Sequence, residues 1–252
     1  MSTDIAGKIA WITGASSGLG ERFSRVLAEA GAVVALSARR VERLEALAAE
    51  IAAAGGRALV VPMDATRVAD IRTAAERIEA ELGPVDILVN NAGISRQARI
   101  EAFSEDDFDT VLDTNLKAPF FAAQAVAQQM LRHKLAGRIV NIGSVASFRS
   151  IGQQAPYAMA KAGVAMMTTC MAREWGRHGI NTNAICPGYI KTEIGGEFWE
   201  TEGGAKLVAS LPRRRLGEPR DLDALLLLLC SGEASRFING SAIVADDGLM
   251  AV

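Results

Sequence analysis

The sequence has few of the residues that build metal centres and disulfide frameworks. Two histidines, His133 and His178, are too few for a His-rich metal site, so no metal is expected. Three cysteines, Cys170, Cys186 and Cys230, are odd in number and lack a C-x-x-C spacing. Free thiols in a reducing cytoplasm are the simplest account of them. Long apolar runs are also missing. The longest, 224–230, is far too short to cross a bilayer and reads as a helix apolar on all sides, buried in the core or against another subunit. The first residues hold no positive stretch followed by an apolar one, so no secretory signal is expected. Charge is nearly balanced, with 27 Lys and Arg against 29 Asp and Glu, a net −2. No basic run is long enough for nucleic acid, and Arg213-Arg214-Arg215 is the only compact cationic cluster.

What is present is ordinary globular material. The chain has 252 residues, half of them hydrophobic, with 24 glycines. Short β-branched runs at 9–13, 33–37, 58–61, 87–90, 138–142, 180–185 and 242–245 predict strands covered on both faces. Helical patterns lie between them, near 18–30, 41–54, 69–82, 105–132, 154–177 and 219–230. Gly31, Gly55, Gly83 and Gly179 stand where helices should stop. The alternation predicts an α/β fold: a doubly wound, parallel, seven-stranded sheet flanked by helices. There is no linker or short repeat, so 1–252 reads as one dinucleotide-binding domain. The irregular stretch 187–217 reads as a loop or small helical lid over a substrate.

The first strand runs into Thr13-Gly14-Ala15-Ser16-Ser17-Gly18-Leu19-Gly20, and a helix follows. Glycines let the backbone turn tightly and approach a ligand, and the helix start offers free N–H groups to a pyrophosphate. The spacing is G-x-x-x-G-x-G, not the commoner G-x-G-x-x-G, but the strand–turn–helix context is that of dinucleotide binding. The same residues also fit the G-x-S-x-G elbow of hydrolases. That chemistry needs a histidine base near the serine, and both histidines read as helix-end residues.

Ser144, Tyr157 and Lys161 carry the chemistry. Tyr157 and Lys161 are four residues apart, hence on one face of a helix. An ammonium near a phenol favours the phenolate, which predicts a Tyr157 pKa lowered from ~10 toward neutrality. Such a phenol can give a proton to a carbonyl oxygen or take one from an alcohol. A serine hydroxyl beside it can hold the same oxygen. This is equipment for managing a proton while a hydride moves to or from carbon.

Taken together, Thr13-Gly14-x-x-x-Gly18-x-Gly20, Asn90-Asn91-Ala92-Gly93, Asn115, Ser144, Tyr157-x-x-x-Lys161 and Pro187-Gly188-x-x-x-Thr192 resemble the short-chain dehydrogenase/reductase family over nearly the whole chain. The resemblance implies Tyr157 as general acid/base, Lys161 as its tuner and nicotinamide-ribose ligand, Ser144 as the substrate-oxygen holder, and Asn115 as the holder of a relay water. It implies cofactor contacts from Gly14, Ser16, Ser17, Gly18, Leu19 and Gly20. Asp64 and Ala65 would meet the adenine. Asn91, Ala92 and Gly93 would pass under the adenosine-side ribose. Pro187, Gly188, Ile190 and Thr192 would flank the nicotinamide. Homo-oligomers, tetramers or dimers, are also implied.

Which dinucleotide is bound can be read from the second strand. It ends Ser37-Ala38-Arg39-Arg40 with no carboxylate before Glu42. Acids there grip the ribose hydroxyls of NAD, whereas a guanidinium suits a 2′-phosphate. NADP(H) is therefore favoured over NAD(H), with Arg39 the clamp and Ser37 or Arg40 assisting. Ile94, Val145, Gln154, Tyr189, Phe198 and Trp199 are expected to line a pocket for a medium-sized apolar ketone, aldehyde or alcohol. The alternatives are a 3-oxoacyl-carrier-protein or CoA reductase guided by Arg213–Arg215, an NAD-dependent alcohol or hydroxysteroid dehydrogenase, and a dinucleotide-binding sensor or scaffold without chemistry.

Overall fold

Most strands of the fold come from apolar runs that can be covered on both faces. In the computed structural model, which describes residues 4–251, these runs form one parallel sheet. The strands are β1 (Ile9–Thr13), β2 (Val33–Ser37), β3 (Arg57–Val60), β4 (Ile87–Asn90), β5 (Arg138–Ile142), β6 (Asn181–Pro187) and β7 (Ala242–Ala245). Their order is β3-β2-β1-β4-β5-β6-β7, so the direction of winding reverses between β1 and β4. That switch point leaves a crevice beyond the carboxyl ends of the strands, where ligands of such sheets bind.

Side chains on β1 show how the sheet divides the core. Ala10 and Ile12 face one layer, with Phe23 and Leu27 of α1 (Gly18–Glu29), Leu44 and Leu47 of α2 (Val41–Ala53), and Leu226 and Leu229 of α8 (Asp223–Cys230). Trp11 faces the other, with Ile71 and Ile78 of α3 (Val68–Glu81), Val126 and Met130 of α5 (Ala118–Arg132), and Val164 and Met171 of α6 (Ala155–Trp175). Full burial of each large apolar side chain stabilises the fold by about 1.5–3 kcal/mol, so the two layers dominate. No helix among the described residues is long and apolar enough to cross a membrane.

Three sequence expectations are corrected. β3 begins at Arg57 and ends at Val60, and β6 extends to Pro187 because its register with β7 runs on through Pro187 and Ala245. The single helix expected over 105–132 is two, α4 (Glu105–Leu112) and α5, joined by a π-helical turn at Asp113–Lys117 where the Ala118 N–H bonds the Asp113 carbonyl. Such one-turn π insertions are frequent at functional sites, and this one carries Asn115. Within 187–217, read from the sequence as a loop or small helical lid, lie a short 3-10 turn, Gly196–Glu200, and α7 (Glu202–Ser210), which needs no correction.

Candidate active site

The switch point is locked by the loops after β1 and β4. Thr13 Oγ1 accepts the backbone N–H of Asn91 at 3.0 Å and of Ala92 at 3.1 Å. In return Asn91 Nδ2 donates to the carbonyls of Thr13 and Gly14 at 3.0 and 3.2 Å. Gly14 has φ +68°, and a Cβ on it would stand 2.8 Å from Ala92 Cα. A Cβ on Gly20 would lie 2.2 Å from the Gly14 carbonyl oxygen. Only glycine fits either position, so the turn is drawn tight before α1. Ser17 precedes α1 without a side-chain cap, leaving the first N–H groups of the helix toward the crevice. This cradle fits a pyrophosphate.

The reacting groups stand on β5 and α6. Ser144 follows β5 and opens the 3-10 turn Val145–Ser147, where its Oγ accepts the Ala146 N–H at 3.1 Å. Pro156 sits in the first turn of α6, and Tyr157 and Lys161 follow one turn apart. The Ser144 hydroxyl lies on the side of the Tyr157 phenol. Lys161 Nζ lies 5.6 Å from the Tyr157 ring centroid and donates to the Ile142 carbonyl at 2.7 Å. The Cβ position of Gly93 is 3.3 Å from Asn115 Oδ1 and 3.8 Å from Lys161 Nζ, so all four residues of the expected set share one small space.

Electrostatics here differ from the sequence expectation. Burial pushes the Tyr157 phenol up from its ordinary value, with the Ser144 hydrogen bond acting in the opposite direction. Burial brings Lys161 down to about 8. The ammonium is held by a carbonyl rather than by the phenol, so the phenol is not drawn toward neutrality. Tyr157 is therefore a proton donor at neutral pH. It keeps some exposure to solvent, as a group that must reach a substrate requires.

The remaining expected residues divide. Ser37 is corrected: it is fully buried and its Oγ accepts the Trp11 indole N–H at 2.8 Å, so its hydroxyl cannot assist a phosphate. Arg39 and Arg40 are exposed at the end of β2. Arg40, not Arg39, reaches the glycine loop, donating to Ser16 Oγ at 3.1 Å and Ser17 Oγ at 2.6 Å. Leu19 packs on the first core layer and Ala65 on the second. The Asp64 carboxylate accepts from the Thr66 N–H and hydroxyl at 3.0 and 2.9 Å, which holds its pKa below the usual value despite partial burial. Asn115 is engaged with Ile94, accepting its N–H and donating to its carbonyl, both at 2.8 Å. Thr192 lies over the glycine loop, its Cβ 3.3 Å from a Cβ position on Gly18. Pro187 ends β6, Gly188 approaches Asp246 closely, and Ile190 bridges to Gly217.

On the substrate side, Val145 is buried with Leu211 and Leu249, and Tyr189 packs against them. Tyr189 and Phe198 both meet Trp199 edge-on, at 5.7 and 5.3 Å. Gln154 stands just before α6 without a side-chain cap, beside a Gln153 carbonyl that accepts the Ala98 N–H at 3.0 Å. Two alternatives lose support. Arg213 and Arg215 both pair with Asp247, and Arg215 also with Asp221, so the cationic cluster is largely neutralised. His133 pairs with Glu79 and His178 accepts from Arg177, both exposed, while Ser16 is held by Arg40, so the hydrolase elbow has no base.

Sequence reading missed Glu193, which bridges Arg40 at 2.9 Å and Arg43 at 2.5 Å from across the loop. Nothing in its sequence neighbourhood signals a partner some 150 residues away; only its place directly after Thr192 points to the site.

Residues 8–203 match the short chain dehydrogenase family. The chain belongs to that family. It is 38% identical over 246 residues to the gluconate 5-dehydrogenase of Gluconobacter oxydans (strain 621H), covering 97% of this chain and 95% of the relative. It is 37% identical over 248 residues to the 2-dehydro-3-deoxy-D-gluconate 5-dehydrogenase of Escherichia coli (strain K12), covering 98% and 97%. A gluconate 5-dehydrogenase from Burkholderia cenocepacia J2315, solved in complex with NADP and tartrate, matches with a TM-score of 0.93 at 37% identity, over 98% of this chain and 96% of that one. As a short-chain dehydrogenase the protein is an oxidoreductase that interconverts a carbonyl and an alcohol.

Proposed function

We propose that the protein is an NADP(H)-dependent dehydrogenase/reductase acting on a secondary alcohol or ketone of a small, hydroxylated, acidic carbon chain. The observation that carries the reading is the meeting of Ser144, Tyr157 and Lys161 beside a glycine cradle whose neighbouring strand ends in arginines instead of an acid. The nicotinamide of such a cofactor supplies or accepts a hydride. The chain manages the oxygen: Ser144 Oγ orients it, and Tyr157 donates its phenolic proton in reduction or takes a proton in oxidation. Lys161 holds positive charge beside this centre and Asn115 fixes the Ile94 backbone at its edge.

Arg40 and Arg39 would hold the 2′-phosphate, Arg40 the nearer to the loop. Pro187, Gly188, Ile190 and Thr192 would flank the nicotinamide, and the 187–217 segment would form the lid. Relatives named for gluconates move the substrate away from the apolar ketone read from the lining residues.

A reducing cytoplasm suits the free Cys170, Cys186 and Cys230. Exposed Phe120, Met159 and Met166 on α5 and α6, and Phe237 and Val244 near the β7 edge, suit a homo-oligomer, tetramer or dimer. The test is a cofactor-oxidation assay with NADPH and NADH over keto-sugar acids, simple ketones and 3-oxoacyl thioesters. Highest kcat/KM with NADPH and a keto-sugar acid is expected; preference for NADH or for an acyl thioester contradicts the reading.

A further inference from the structure

Behind the reacting groups lies a set of buried and half-buried atoms that the proton chemistry above does not use. Cys186, the residue before Pro187 on β6, is fully buried. Its Sγ fills the space beside Gly143 at the end of β5. Ser147 Oγ donates to the carbonyl of Lys161 at 2.8 Å and accepts the Ser144 N–H at 3.4 Å. A serine has one hydroxyl proton, and here it goes to the Lys161 carbonyl, so the Ser147 oxygen takes the Ser144 N–H and ties the Ser144 turn to α6. Burial pushes the Cys186 thiol up, so it packs there as a neutral group.

The packing around this chain of groups is closed. A Cβ on Gly143 would stand 2.7 Å from Cys186 Sγ and 3.2 Å from Ser147 Oγ. The backbone of Gly143 is itself fixed to β6, its N–H donating to the Ile185 carbonyl at 2.7 Å. Sulfur and hydroxyl thus fill the angle between β5, β6 and α6. The hydroxyl meets the peptide N–H of Ser144 on one side and the carbonyl of Lys161 on the other. The same strand continues from Cys186 into the Pro187-Gly188 turn.

We propose that Ser147 is a positioning residue, whose hydroxyl, packed in the corner that Cys186 fills, sets the distance between the Ser144 turn and the helical turn carrying Tyr157 and Lys161. The inference rests on the reading of Ser144, Tyr157 and Lys161 as the reacting set. A shift of about 1 Å between such groups can cost about a hundredfold in rate.

The test compares Cys186→Ser, Cys186→Ala and Ser147→Ala with the wild type, and runs Tyr157→Phe beside them. Serine at 186 keeps a group of similar size in the corner and should hold kcat within about threefold of wild type. The two alanine variants should lower kcat about tenfold or more, while KM for the carbonyl substrate and the Kd for NADPH by fluorescence titration stay within about twofold. The alkaline limb of the kcat profile should move in both alanine variants and return in Cys186→Ser. Alanine variants with wild-type kcat and altered melting temperature only would show a packing role and overturn the inference. So would a Cys186→Ser variant as impaired as Cys186→Ala. If one alanine variant fails to fold, the other decides the matter alone. An active Tyr157→Phe would instead remove the catalytic reading on which the inference rests.

Discussion

Lys161 gives its ammonium hydrogen to the carbonyl of Ile142, 2.7 Å away, and not to the phenol of Tyr157, whose ring centre is 5.6 Å off. The consequence is a division of labour. The lysine remains a buried cation of reduced basicity, and the tyrosine remains a protonated phenol at neutral pH.

That division sets the pH dependence of the two directions. Reduction needs the proton on Tyr157, and oxidation needs it gone. With the phenol raised above its ordinary value, kcat/KM for ketone reduction should be flat from pH 6 to about 8 and fall only in alkali. Alcohol oxidation should rise through the same alkaline range. An oxidation rate already on its plateau at pH 7 would contradict the assignment.

The Lys161 amine makes stability pH-dependent with a definite sign. Its folded pKa, about 8, lies below the ordinary 10.5. Below about 8 both states hold the proton and burial of the ammonium costs stability. Between the two values the unfolded chain holds more protons than the folded one, so stability rises with pH. Lys161→Met should therefore gain up to about 3 kcal/mol over wild type at pH 7, and less at pH 9.5, in urea unfolding. An equal difference at both pH values would count against a strained buried ammonium.

Glu193 should compete with the cofactor phosphate. Its carboxylate bridges Arg40 and Arg43, both about half exposed. Each such pair is worth about 0.2–1 kcal/mol, so Glu193→Gln should tighten NADPH binding about two- to tenfold and leave NADH nearly unchanged. Arg40→Ala should weaken NADPH selectively, and Arg39→Asp should move the kcat/KM ratio toward NADH. Titration by nucleotide fluorescence at two salt concentrations checks all three. Equal shifts for both nucleotides would show that the arginines read no 2′-phosphate.

Much of this arrangement is legible in the chain, because it is written in local spacing. The β1 run, the glycine turn and the Tyr–Lys step each depend on residues within one turn or strand of each other. What was not legible depends on distant partners. Ser37 reads as an exposed strand-end hydroxyl until Trp11, on the neighbouring strand, takes it. The break at Asp113–Lys117 is invisible to a 3.6-residue pattern, since an inserted π residue leaves the apolar spacing on either side intact. The direction of the Tyr157 shift turned on where the Lys161 amine is anchored, and the Ile142 carbonyl that anchors it carries no side-chain signature.

The most direct test of the account is turnover of Tyr157→Phe, measured with NADPH and the best ketone from the substrate panel, alongside NADPH binding. The account predicts kcat lower by about a hundredfold to ten-thousandfold, with the Kd for NADPH within about twofold of wild type. Turnover close to wild type in that variant would contradict it.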